Sequence, residues 1–527
     1  MAATPATNLT LVSSGLADTR LQPARGNPDL KQYLKVFTKK TRWSAQWNRV
    51  DFDGSAEFGQ RVSLTIPPLA ELVTGINIVV TMPDILTTQL AAIRDSSGVS
   101  FDQPGRFLGP TYGWTNSLGH ALIQQIDLEI GGAIVETLTG QQLEILDELY
   151  ETTDSSRAKD AMIKRAPNGF SPRTWLSTNT TVYVPIPFWF SRPGIYSHAL
   201  PIDALRVDRV RIHVTFRPIT ELFYTDARVD SRTTGFRAGT DIPGTMWNIV
   251  GGRFWRTPAT PSLSRVFSIN PTISSTGAPG ELIPYQTLPT RFTPQDAYVL
   301  IEYISLEENE SIRFRSSELT YNVEQHYAVP AQATLGQNEV RLVIPYTNPT
   351  KEVLWVLQRP EVATYNAWFL FTRDLAPVRT TNPCLVPWWP DAQLTPSAPN
   401  GWAIVPGFQN AYSEPVAGAT LLYNSFERYV HEGGSFFRSI VPATNYEKMP
   451  IRNRYIYAYH FGQREERLKY GVTGVANWDK IPRKELFVTL SRGRGGVPPP
   501  NMNLYVYTTI WNVFKVFGGR GGMLFSN

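Results

Sequence analysis

The chain has 527 residues, 42% hydrophobic and 12% aromatic, which supports packed cores and excludes wholesale disorder. That length exceeds one ordinary core and divides naturally into two domains of roughly 200–300 residues. The net charge of +5 sits in the first fifty residues, where eight Lys or Arg face two Asp, and the single cysteine, Cys384, excludes an intrachain disulfide and argues against thiolate zinc sites.

Residues 1–27 are polar and lack a hydrophobic period, so an extended arm is expected. Residues 1–20 show no signal-peptide core, and the most apolar stretch, 72–86, is broken by Thr74, Gly75, Asn77 and Pro83. The expectation is a protomer made in the cytoplasm and soluble. The basic residues Arg20, Arg25, Lys31 and Lys35 suit contact with an acidic neighbour, anionic lipid or nucleic acid. Lysines guarding a strand edge are the alternative.

Short alternating or apolar runs then dominate. Strands are predicted at Tyr33 to Thr38, Arg61 to Pro67, Gly75 to Met82, Ala121 to Ile130, Thr181 to Phe190 and Val207 to Phe216. More follow at Tyr298 to Leu306, Leu319 to Tyr327, Glu339 to Pro345, Val353 to Leu357, Ala367 to Phe371, Tyr455 to Phe461, Leu486 to Leu490 and Leu504 to Val516. Two helices are predicted. Gln141 to Tyr150 turns Leu143, Leu146 and Leu149 to one side and Glu144, Asp147 and Glu148 outward, and Asn424 to Val430 is the weaker pattern. With 41 prolines interrupting regular structure, the fold class is all-β, a sandwich or jelly roll with few short helices.

The second half echoes the first. Val62 to Pro67 returns as Val340 to Pro345, and Ile76 to Val80 as Val353 to Leu357. Tyr183 to Phe188 returns as Tyr455 to Phe461 (455 − 183 = 272), and Val214-Thr215-Phe216 as Val488-Thr489-Leu490. Ordered echoes at nearly one offset imply tandem domains of one plan. Matching Tyr298 to Tyr505 drops the offset and leaves about 67 extra residues in the first copy, inside the stretch 218–294. The second copy carries its own proline-rich excursion at 374–418.

Chemistry-bearing patterns are weak. The six histidines are scattered without metal-ligand spacing, and no P-loop, G-x-S-x-G or dinucleotide fingerprint occurs. No catalytic residue, cofactor or metal is therefore assigned. Glu307-Glu308 and Glu465-Glu466 read as solvated turn charges. The pair Trp388-Trp389 suits an apolar loop anchor or a sugar-stacking platform. Arg492 to Gly496 and Gly519 to Gly522 read as glycine turns before RGG tracts. Sequons occur at Asn8, Asn179 and Asn309, and Asn179 and Asn309 are the candidate glycosylation sites.

One ordered series runs through Asn27-Pro28 with Phe37 to Thr41, Ile126 to Gly132, Tyr183 to Phe190, Ala199 to Leu205 and Ile301 to Glu308. The series continues through Arg313-Phe314, Val323 to Gln325, Asn348 to Glu352, Phe426 to Arg428, Ser435 to Phe437 and the glycine-rich Gly518 to Asn527. Together these segments resemble the major capsid proteins of the nucleocytoplasmic large DNA viruses. Residues 477–482 depart from the family pattern, and 471–474 match it only loosely. The resemblance implies two tandem antiparallel β-sandwich jelly rolls with long inter-strand loops, at 28–314 and 315–527 behind the arm 1–27. It further implies homotrimeric, pseudo-hexagonal capsomers tiling an icosahedral shell in the virion. The partners it implies are neighbouring capsomers, minor capsid and penton proteins and an internal viral membrane, without sequence-specific nucleic acid. On that reading Arg20, Arg25, Lys31 and Lys35 serve inner-face or inter-capsomer contacts. The residues alone leave open a β-sandwich carbohydrate-binding protein or glycoside hydrolase, and a nucleic-acid binder resting on the basic arm.

Overall fold

A computed structural model describes residues 42–83, 112–165, 180–191, 198–225, 293–364, 366–373, 375–380, 403–410, 413–427, 432–450, 454–462, 474–493, 496 and 498–525. The first half supplies β1 (Trp43–Asp51), β2 (Arg61–Thr65), β3 (Leu72–Thr81), β4 (Tyr112–Trp114), β5 (Ile123–Ile130), β6 (Ala133–Thr139), β7 (Thr181–Pro185), β8 (Val210–Phe216), β9 (Phe223–Thr225) and β10 (Asp296–Leu306). The second supplies β11 (Leu319–Ala333), β12 (Glu339–Val343), β13 (Thr350–Gln358), β14 (Leu375–Thr380), β15 (Ala403–Asn410), β16 (Val416–Tyr423), β17 (Phe426–Glu427), β18 (Glu432–Gly433), β19 (Ile456–His460), β20 (Lys484–Leu490), β21 (Asn503–Phe517) and β22 (Arg520–Met523). Four short helices matter below: α1 (Leu118–Leu122), α2 (Gly140–Tyr150), α3 (Thr153–Ile163) and α4 (Glu308–Ser316).

The two halves share one topology. The first builds sheets in the order β1-β10-β3-β7 and β2-β8-β5-β6; the second builds β11-β21-β13-β19 and β12-β20-β16-β17, with β18 also on β16. Setting aside the small β4–β9 and β14–β15 pairs and the short flanking strands β18 and β22 (the latter on β21), each half runs its strands first, last, third, sixth in one sheet and second, seventh, fourth, fifth in the other. All these pairs are antiparallel, and the order is that of an eight-stranded jelly roll.

Registers coincide as well as order. Val62 opposes Val214 and Val340 opposes Val488, while Val79 opposes Tyr298 and Val356 opposes Tyr505. One echo shifts by a residue. Tyr183 opposes Val79 and Ile456 opposes the equivalent Val356, so the true offset is 456 − 183 = 273 rather than 272. A one-residue slip exchanges the faces of a strand. The corrected register makes buried Val184, opposite Ile78, the equivalent of buried Tyr457, opposite Trp355, and so does not align tyrosine with tyrosine.

Alternation explains the cores. In β8 and β2 every second residue is buried, including Val62, Leu64, Val210, Ile212, Val214 and Phe216, whereas β13 is buried on both faces. Trp355 of β13 stacks on Tyr457 at 5.8 Å and meets Phe437 edge-on at 5.1 Å. One apolar cluster runs through both sandwiches. Edge strand β1 differs, with Trp43 and Trp47 exposed.

Two predicted elements do not form. Ala367 to Phe371 is buried but irregular. It lacks strand alternation, and the Trp368 indole spends its N–H on the Glu221 carbonyl at 2.8 Å. Asn424 to Val430 is not helical where described: Asn424 and Ser425 form a two-residue turn closing the β16–β17 pair Tyr423–Phe426. Both have positive φ, 52° and 71°, as a type I′ hairpin demands, and the asparagine suits its place. Ser425→Gly should relieve the strain and raise stability by about 0.5–1 kcal/mol in denaturant titration.

Candidate functional site: the seam between the sandwiches

The densest charged cluster among the described residues lies where α2 meets the second half. Thr139 caps α2 by accepting from the Gln142 N–H at 3.3 Å, and Leu143, Leu146 and Leu149 enter the first core as the helical spacing predicts. The outward placement of Glu144, Asp147 and Glu148 is overturned. All three are buried, with Glu144 and Glu148 at 0% exposure. Arg454 and Lys448 of the second sandwich reach Glu144 and Glu148, whereas Asp147 is paired from within the first half by Arg165 and Lys159.

Arg165, just beyond α3, grips Glu144 at 2.6 and 3.0 Å and also contacts Asp147 and, at 3.0 Å, Asp160. From 300 residues further along come Arg454, 2.6 Å from Glu144 and 3.4 Å from Glu148, and Lys448, 3.5 Å from Glu148. Lys159 pairs with Asp147 and Glu151. Ser117 donates to Glu144 at 3.0 Å, and His120 Nδ1 lies 2.6 Å from the same carboxylate. Burial alone would raise the Glu144 pKa, but Arg165 and Arg454 outweigh it and hold the carboxyl well below its usual range. Asp147 is held at about 2 against the same burial effect by Arg165 and Lys159. Burial lowers His120 despite Glu144, keeping the imidazole neutral.

A second polar layer continues inside the second sandwich. Lys351 Nζ is 2.7 Å from Glu324, and Glu352 accepts from Thr509 at 2.6 Å and from the Tyr446 hydroxyl. Burial pushes Glu352 up, yet Lys351 and His460 bring it below its ordinary value. Further bonds cross the seam. Gln325 donates to the Val135 carbonyl at 2.7 Å, and the His326 amide to Glu136 at 3.3 Å. Tyr507 donates to Gln141 at 2.6 Å, and Arg217 stacks 3.8 Å over Trp368. Buried charge paired in this way is costly to assemble and positions rather than reacts, although Arg454 Nε and Nη2 make no hydrogen bond among the described residues. The arrangement can fasten two sandwiches.

The histidines match that reading. His213 pairs with Glu129 at 2.7 Å across β8 and β5, and His326 with Thr509 at 3.0 Å. Among the described residues no group of three metal-ligating side chains forms. Glu307 and Glu308 stand exposed at the start of α4. Asn309 is exposed in that helix, but Ser311 of its sequon is buried at 3%. Arg20, Arg25, Lys31, Lys35, Asn179, Trp388, Trp389 and the predicted strand Tyr33 to Thr38 lie outside the described residues, as does most of 218–294. Of the excursion 374–418, the β14–β15 hairpin is described. Sequence reasoning missed Arg165 and Arg454. The one available signal was an acidic helix face with no basic partner at i+4.

The description "Major capsid protein N-terminus" matches residues 32–240, and "Large eukaryotic DNA virus major capsid protein" matches residues 310–522. The major capsid protein of Chrysochromulina ericina virus is 22% identical over 644 residues, covering 98% of this chain and 99% of that protein. Among solved structures, the PBCV-1 virus capsid quasi-atomic model aligns with a TM-score of 0.61 at 17% identity, covering 94% of this chain and 100% of that one. The Faustovirus major capsid protein aligns at 0.60 and 10% identity, covering 97% and 96%.

Proposed function

The chain belongs to the major capsid proteins of large eukaryotic DNA viruses, and from that premise we propose that three copies close into a pseudo-hexagonal capsomer that tiles an icosahedral shell. Its role is structural, in the virion capsid, and the family's members are not enzymes. The observation that carries the finer reading is the repetition of one strand order and register in two sandwiches fastened by buried ion pairs. A protomer with two like lobes presents six lobes when three copies meet around a threefold axis, which is the symmetry a hexagonal tile requires.

On this reading 28–314 and 315–527 are the two lobes, the excursions at 218–294 and 374–418 contact neighbours, and Arg20, Arg25, Lys31 and Lys35 serve inner-face or inter-capsomer contacts. Neighbouring capsomers, minor capsid and penton proteins and an internal membrane are the expected partners. Light scattering on the purified protein should give three times the protomer mass, and negative-stain images should show six-lobed particles. A strictly monomeric species under assembly conditions would sink the proposal.

A further inference from the structure

Two glycine hairpins, one from each sandwich, converge on a single short segment. Gly131 and Gly132 close the β5–β6 hairpin between the paired residues Ile130 and Ala133. Gly518 and Gly519 close the β21–β22 hairpin between Phe517 and Arg520. All four have positive φ, from 60° to 86°, the type I′ geometry that side chains with a Cβ resist. Between the hairpins runs 205–209, the entry to β8. The Gly131 amide donates to the Arg209 carbonyl at 3.1 Å. On the other side, the Gly519 carbonyl accepts from the Val207 amide at 2.9 Å and the Asp208 amide at 3.3 Å. The Asp208 carboxylate accepts from the Gly521 amide at 3.0 Å.

The seat is close-fitting. A Cβ on Gly131 would lie 2.7 Å from Asp208 Cγ, and one on Gly521 would lie 2.6 Å from Leu205 Cδ2 and 2.9 Å from the Phe514 ring. Phe514 in turn packs against Trp189 of the first sandwich, with centroids 5.5 Å apart. A Cβ on the adjacent Gly522 would meet nothing within 4 Å. The hairpin therefore has one face fitted to the first sandwich and one face free.

We propose that the β21–β22 hairpin is a latch that fastens the second sandwich to the β8 entry of the first and fixes the angle between them together with the ion-pair seam. Its lever arm supports this role. The seam reaches β21 at Tyr507, through Gln141, and the latch begins at Phe517. Ten strand residues span about 33 Å. Two attachments that far apart on one continuous strand resist rotation, which a single attachment cannot. The latch is mostly main-chain hydrogen bonding on glycine, so it depends on backbone shape more than on side-chain identity.

Hydrogen exchange read by mass spectrometry tests this on the full chain in Gly521→Val, Asp208→Ala and the control Gly522→Ala. The expected result is exchange about tenfold or more faster in peptides covering 205–210 and 518–525 for the first two variants. Peptides from α2 should be unchanged, and the control should match wild type. Thermal unfolding of Gly521→Val should separate into two transitions. Wild-type protection of 205–210 in Gly521→Val, or a single unchanged transition, overturns the latch. Equal loss of protection across α2 and both sandwiches also overturns it, because the effect would then be general unfolding.

Discussion

Arg454→Ala is expected to lower stability by about 3–5 kcal/mol, because it leaves Glu144 and Glu148 fully buried beside a lost cation. The size follows from the asymmetry of buried ion pairs. An intact pair roughly balances desolvation against attraction, whereas removing one partner leaves buried charge under-compensated: Glu144 would keep Arg165, and Glu148 would keep Lys448 at 3.5 Å. Chemical denaturation monitored by tryptophan fluorescence would measure the loss. The double variant Arg454→Met with Glu148→Gln removes a charge of each sign and should recover more than half of it. If the single variant unfolds at the wild-type denaturant concentration, the seam contributes nothing. If the double variant is worse than the single by the full cost of a second cavity, the loss reflects packing rather than charge.

Acidification should weaken the same seam in two stages. His120 is held neutral in the fold, so below its ordinary value near 6.5 the unfolded chain takes up a proton that the folded chain refuses. Stability then falls with pH by up to about 1.4 kcal/mol per unit, until the lowered folded value is passed. Glu144, Asp147 and Glu352 have depressed folded values, so their contribution is fully present above the ordinary carboxylate range, about 4. It is lost as pH drops further, through about 2 for Asp147. Denaturation midpoints between pH 7 and 3 should therefore slope gently at first and steeply below about 4.5. His120→Asn should flatten the upper stage and leave the lower. A flat profile down to pH 4 in the wild type would contradict the first stage.

How much was legible in the sequence varied with the physics. Strands with strict alternation, such as Val210–Phe216, announced themselves because one face is buried and one is not. The duplication was readable from the same runs, since equivalent core positions keep apolar character when identity is lost. β1 was not, because Trp43 to Trp47 is exposed on both faces and only Asn48 and Val50 at its end are half-buried. Ala367 to Phe371 misled because an apolar run without alternation records burial and not backbone shape. The seam escaped for a different reason. Glu144 and Glu148 look like solvent-facing helix charges, and only the fold brings Arg454 to them across 306 and more residues. Spacing rules see neighbours along a helix and cannot see a partner that arrives from another domain.

The seam also sets an order in time. Glu148 meets Arg454 and Lys448, and translation reaches residue 448 three hundred residues later. At roughly 5–20 residues per second this takes about 15–60 s, during which α2 shows its acidic side to the cell without those cations. The first sandwich gains its last strand, β10, at residue 306, so it can close 142 residues (448 − 306) before it is electrically complete, and the second half is both its twin and the counter-charge for which it waits.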